Sequence, residues 1–88
     1  MSDEVQPIGR VRHYYNRLGV AVIELRDHLI LGDWVHFYGC TTNFVQPVSS
    51  MQSEHNPIGE AFPAETIAIQ VDDRVRDGDL VYPYSQPV

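Results

Sequence analysis

Short apolar runs with a period near two, broken by turn residues every few positions, organise this chain from Ile8 onward. Arg10 to Tyr14 alternates, which sets Val11 and His13 on one face of a strand and Arg10, Arg12 and Tyr14 on the other. Asn16-Arg17-Leu18-Gly19 carries residues that tolerate positive φ and predicts a turn. Val20 to Leu25 is rich in β-branched residues and reads as a mostly buried strand, so the two segments make a hairpin. Arg26 to Leu31 is read as a short connection and Gly32-Asp33 as a turn. Trp34 to Tyr38 is the next strand, ended by Gly39. Placing Val35 and Phe37 inward avoids burying His36 between two polar-tipped aromatics, so Trp34, His36 and Tyr38 face outward.

Asn43 to Gln52 is read as one interrupted strand anchored by Phe44, Val48 and Met51. The change of spacing between those anchors predicts a bulge near Ser49-Ser50, since one extra residue switches parity. Pro47 cannot donate to a ladder and leaves an open edge there. Ser53 to Glu65, with Pro57, Gly59 and Pro63, is the one long irregular stretch and holds at most a helical turn. Thr66 to Val71 is a strand with Ile67, Ile69 and Val71 inward, Asp72 to Asp79 a charged turn region, and Leu80-Val81-Tyr82 the last strand. The expected fold is all-β: a six-stranded, closed or nearly closed antiparallel barrel over residues 8–84, with tails at 1–7 and 85–88. Closure would remove the exposed edges that an open sheet must manage.

Composition narrows the classes. At 88 residues, 43% hydrophobic and 20% charged, the chain is one ordinary globular domain. No apolar run approaches the ~20 residues needed to cross a bilayer, and the acidic start Met1-Ser2-Asp3-Glu4 does not read as a secretory signal. A cytoplasmic location and no membrane partner are the expectation. The single cysteine, Cys40, cannot form an internal disulfide and reads as a small buried hydrophobe. Net charge is -6, every basic residue that is not histidine is arginine, and the acidity is concentrated in the second half. Such a chain repels a phosphate polymer except through a local arginine patch; the plainer role of the acidity is solubility.

Two surfaces are candidates. Arg10, Arg12 and Tyr14 could neutralise phosphate and stack a base, or could be a solvated strand face whose arginines pair with acids of the second half. Trp34, His36 and Tyr38 would form an outward aromatic row that either meets a partner or is covered by the loop after Ser53. The four histidines, His13, His28, His36 and His55, lack zinc-ligand spacing, Glu54-His55 lacks a third catalytic group, and Asp72, Asp73, Asp77 and Asp79 lack the order of a calcium loop. These read as loop polarity and solvated turns; no metal, cofactor or catalytic residue is expected.

Gly9-Arg10-Val11, Leu31-Gly32-Asp33, Val35-His36-Phe37-Tyr38-Gly39, Ala64-Glu65-Thr66-Ile67 and Arg76-Asp77-Gly78-Asp79-Leu80-Val81 together resemble the second, β-barrel domain of elongation factor Tu-type translational GTPases. His13-Tyr14-Tyr15, Gly19 to Ile23, Phe44 and Ser50-Met51-Gln52 with Glu54-His55 look like a group of short translation-factor-like proteins. A similar barrel also occurs as a tail domain of collagenase-like peptidases. The chain departs from the barrel pattern at Ala64 and Ala68, where glycine is common, and Ala64 would be strained if its turn needs positive φ. It has no GxxxxGK[ST] loop, so nucleotide hydrolysis does not follow. The resemblance implies a nonenzymatic module that contacts RNA or ribosome-associated components through the arginine patch. The alternative is a protein-interaction module that docks an enzyme such as a collagenase-like peptidase, or self-associates, through the aromatic row.

Overall fold

The computed structural model describes residues 5–85. Its strands are β1 (Gly9–Tyr15), β2 (Val20–Leu25), β3 (Leu29–Ile30), β4 (Trp34–Tyr38), β5 (Asn43–Pro47), β6 (Met51–Ser53), β7 (Asn56–Pro57), β8 (Glu60–Ala61), β9 (Thr66–Gln70) and β10 (Leu80–Pro83). Eight of them form one antiparallel sheet in the order β5-β4-β10-β1-β2-β9-β6-β7, and β3 pairs with β8 in a separate ribbon. The sheet curls into a half-barrel around one core. Val11, Ile23, Val35, Phe37, Ile67 and Ile69 all point into it and none is more than 2% exposed, as their alternation predicts.

The barrel is not a closed ring of six strands. β5 and β7 are the two ends of the sheet, and no ladder joins them. A side chain does part of that work instead. Gln46 of β5 is 1% exposed; its Nε2 donates to the Gln70 carbonyl at 3.0 Å, and its Oε1 accepts from Asp72 N–H at 2.7 Å. The amide thus ties the edge strand to the end of β9 and satisfies itself in the interior. Asn43 to Gln52 is accordingly two strands rather than one bulged strand. The chain leaves β4 after Pro47, turns through Val48, which exchanges hydrogen bonds with Gly32 and Asp33, and joins β9 as β6. The irregular stretch after Ser53 holds β7 and β8, and Arg26 to Leu31 holds β3. Two-residue strands carry too little periodicity to be seen in the sequence. Their inward residues Leu29 and Ala61 belong to the core, at 1% and 0% exposure. The tails expected at 1–7 and 85–88 fall largely outside the described residues.

One turn is used three times. Ile30-Leu31-Gly32-Asp33, Phe62-Pro63-Ala64-Glu65 and Arg76-Asp77-Gly78-Asp79 each close with the fourth residue's N–H donating to the first residue's carbonyl, at 2.9, 3.1 and 3.0 Å. Each has a positive φ at its third position, 96°, 74° and 92°, the pattern of a type II turn. In each the fourth residue is an acid whose carboxylate accepts from the first residue's N–H: Asp33 from Ile30 at 3.0 Å, Glu65 from Phe62 at 2.7 Å, Asp79 from Arg76 at 2.8 Å. Each turn then launches a strand whose second residue is buried: Val35, Ile67 and Val81. The expected strain at Ala64 is therefore present. The β6–β7 hairpin is also unusual, because both residues at its tip, Glu54 and His55, have positive φ, at 51° and 67°. That is the type I′ geometry normally given to Asn-Gly.

Asp79 is not a solvated turn residue. It is 6% exposed and also accepts from the buried Thr42 hydroxyl. Gly39 lies directly over its carboxylate, and a Cβ there would collide with it. Cys40, expected in the core, is exposed beside this turn.

Candidate docking face

β10 lies between β1 and β4, and its register brings a second row of large side chains beside the predicted one. Tyr38 is opposite Leu80, His36 opposite Tyr82, and the Tyr84 N–H donates to the Trp34 carbonyl at 3.1 Å. On the other flank of β4, Trp34 faces Pro47, His36 faces Val45 and Tyr38 faces Asn43. Trp34, His36 and Tyr38 do point outward, as the inward Val35 and Phe37 require, and they form the centre of a three-strand face. The rings pair along β4 and across to β10 and the residue after it: His36 and Tyr38 are 5.7 Å apart between centroids, His36 and Tyr82 6.4 Å, Trp34 and Tyr84 6.3 Å. His36 Nε2 is 2.6 Å from Asn43 Oδ1, a hydrogen bond that ties the imidazole to β5. The outward rows of β4, β5 and β10 hold no Asp, Glu, Lys or Arg; charge enters at the border, where Arg10 of β1 stands opposite Leu80 and Arg76 and Asp77 lie beside Tyr38 and Tyr82. Tyr38 is 50% exposed and Val45 39%. Val5 joins Tyr38, Tyr82 and Pro83 around a shallow apolar cleft. The segment after Ser53 folds elsewhere, with β7 on β6 and β8 on β3.

The arginine surface does not form as predicted. The β1–β2 register shifts between Val11 and His13, a bulge that reverses the parity of the strand. Tyr14 consequently turns inward and packs against the core, while His13 is exposed and stacks edge-on with Tyr15 at 4.3 Å. Arg10 and Arg12 stay outside, without the ring that was to stack beside them. Arg12 pairs with Glu24 at 3.8 Å, an acid of the neighbouring strand in the first half of the chain. The other histidines are dispersed: His28 bonds Glu60 at 2.8 Å and stacks on Phe62, and His55 sits at the β6–β7 tip.

Tyr82, Pro83 and Tyr84 are the residues that sequence reasoning missed. Their signal is faint but present: Leu80, Tyr82 and Tyr84 alternate about the buried Val81 and continue the strand past the point where Pro83 seemed to end it. What places them beside Trp34 and His36 is the β4–β10 pairing, which joins strands more than forty residues apart.

No family model matches the chain. It is 40% identical over 76 residues to an uncharacterized protease of Methanocaldococcus jannaschii, which covers 85% of this chain and 19% of the relative. It is 31% identical over 81 residues to a collagenase of Porphyromonas gingivalis, covering 90% and 22%. The chain thus spans about a fifth of the length of these curated relatives. Two crystal structures of the C-terminal domain of a Geobacillus thermoleovorans protein described as a U32 peptidase match its fold. One has a TM-score of 0.83 at 25% identity over 88% of this chain and 98% of that domain; the other has 0.86 at 24% over 91% and 93%. These likenesses overturn the assignment to the elongation factor Tu type, and with it the translation-factor and RNA-binding reading. The motifs behind that assignment have a simpler basis. Gly-Asp-x-Val is the acid-locked turn described above, a local device for starting a strand, and it does not identify a ligand. Similarity to a terminal domain of peptidases is what the comparisons establish.

Proposed function

We propose that this chain is a nonenzymatic docking module whose β4–β5–β10 face seats on the body of a collagenase-like peptidase. The observation that carries the reading is the aromatic face, uncharged across β4, β5 and β10, taken with relatives of which this domain makes up a fifth. A contiguous face of half-exposed and exposed aromatic and apolar side chains, with Trp and Tyr at its centre, suits association with another protein. A domain that recurs beside a larger body meets that body first. Binding rather than catalysis is supported by the dispersal of the histidines and by the exposure of Cys40, to which no base is hydrogen-bonded among the described residues.

The test is sedimentation velocity of the purified chain, alone and mixed with a peptidase of this type from the same organism that lacks the domain. A complex forms with the wild-type chain, and Trp34→Ala or Tyr38→Ala weakens it by roughly 10-fold or more, the usual cost of losing an aromatic anchor. Arg12→Ala, on β1 where it pairs with Glu24 of β2 outside the three-strand face, leaves it unchanged. A chain that dimerises through the same residues and ignores the peptidase makes the face a self-association surface instead, and a chain that remains monomeric beside the peptidase removes the proposal.

A further inference from the structure

Where the aromatic face ends at Trp34 and Tyr84, the surface drops into a cleft of about 310 Å³. Its walls bring together Asp27, His28, Asp33, Trp34, Pro83 and Tyr84. Pro83 also borders the apolar cleft on the docking face, so the two surfaces are continuous. The composition of this cleft differs sharply from the face beside it. It combines two carboxylates with two aromatic rings, whereas the outward rows of β4, β5 and β10 hold no acid.

Neither carboxylate is neutralised. Asp27 Oδ1 accepts from the His28 N–H and Asp33 Oδ2 from the Ile30 N–H, which uses one oxygen of each and leaves the other without a hydrogen-bond partner among the described residues. The ion pairs among the described residues are Arg12–Glu24 and His28–Glu60, and neither involves Asp27 or Asp33. His28 does not fill the cleft with charge of its own, since its Nε2 is turned to Glu60 and its ring is stacked on Phe62 at 4.9 Å. Two backbone-held carboxylates lining one cleft with an indole and a phenol are the elements that recognise an organic cation. The carboxylates supply charge, and the ring faces supply cation–π attraction while excluding water.

We infer that this cleft receives a guanidinium or ammonium group, an arginine or lysine side chain of the peptidase body that docks on the adjoining face. The inference rests on the docking reading for the source of the cation, and on the cleft alone for its chemistry. The partner's contact surface is then an apolar patch flanked by a basic residue. A chain of net charge -6 gains orientation from such a contact, because only one placement of the patch brings the cation to Asp27 and Asp33.

The cleft is tested first with small probes: acetyl-arginine methylamide, acetyl-lysine methylamide and the neutral isostere acetyl-citrulline methylamide, titrated into the chain and followed by NMR. The charged probes shift the Trp34 indole and Tyr84 signals saturably, and citrulline binds at least ~5-fold more weakly. Asp27→Asn with Asp33→Asn, which keeps a carbonyl acceptor for the His28 and Ile30 N–H groups, removes that difference while the remaining spectrum stays folded. Equal binding of citrulline, or no saturable shift with any probe, overturns the inference. The second arm measures the same double variant against the peptidase. Loss of ~10-fold or more in affinity that falls away in high salt supports a cation from the partner. A complex that forms with undiminished affinity overturns it while leaving the docking reading standing. Absence of any complex with the wild-type chain, with the probes still bound, sinks the docking reading and leaves the cation site.

Discussion

The turns at Ile30–Asp33 and Arg76–Asp79 have the same backbone, the same glycine and the same acid, yet the structure uses them differently. Asp33 is exposed and serves the single N–H of Ile30. Asp79 is buried, serves Arg76 N–H, takes the Thr42 hydroxyl, and lies under Gly39. A hydrogen bond to solvent-exposed carboxylate competes with water, whereas the same bond in the interior cannot be replaced. The first turn is therefore local, and the second fastens the β4–β5 loop to the start of β10. The third copy, at Phe62–Glu65, adds a further contrast: Pro63 presets its second position, but Ala64 occupies the third, where the others have glycine.

The contrast can be broken at four points. Asp79→Ala should have the largest effect, about 2–3 kcal/mol of lost stability in urea unfolding, because it strands a part-buried N–H and a buried hydroxyl. Gly39→Ala should cost nearly as much, about 2 kcal/mol, by pushing the Asp79 carboxylate off its donors. The two are the same lesion, so their double variant should fall well short of the sum; full additivity would separate Gly39 from Asp79. Ala64→Gly should run the other way and raise stability by about 0.5–1 kcal/mol, since relief of the positive φ outweighs the added freedom of the unfolded chain. An unchanged or lower urea midpoint would mean that Pro63 and Glu65 already hold the turn without strain. Asp33→Ala should be smallest, about 0.5–1 kcal/mol, and a loss as large as that of Asp79→Ala would erase the distinction between the copies.

The docking face and the cleft beside it teach a related lesson about legibility. Trp34, His36 and Tyr38 were visible from the sequence because strand parity is local: fixing Val35 and Phe37 inside forces their neighbours out. Arg10, Arg12 and Tyr14 were read by the same rule and came apart, because one bulge after Val11 reversed the parity for the rest of β1. A bulge depends on how β2 pairs across, and no residue at Arg12 or His13 announces it. Asp79 and Cys40 exchanged their expected places for a similar reason. Burial of this acid needs a second donor and a space from the β4–β5 loop, and Thr42 and Gly39 reach the Arg76–Asp79 turn only after folding. The Asp27–Asp33–Trp34–Tyr84 cleft is assembled from both ends of the chain and has no sequence signature at all.

Alternation of aliphatic residues along β1, β2, β4, β9 and β10 determined by itself that the protein is an antiparallel β-structure with Val11, Ile23, Val35, Phe37, Ile67 and Ile69 at its centre, since side chains two apart on a strand must share a face. Glycine and acidic residues likewise determined where strands begin, since the turn they make is closed within four residues. Only the tertiary structure decided that the sheet stays open and is tied across its gap by Gln46, that Tyr82 and Tyr84 join the β4 face, and that two carboxylates without an ion-pair partner among the described residues line a cleft with an indole at the edge of that face. Those outcomes depend on contacts between residues far apart in the chain, and a pattern of period two carries no information about which strand lies beside which.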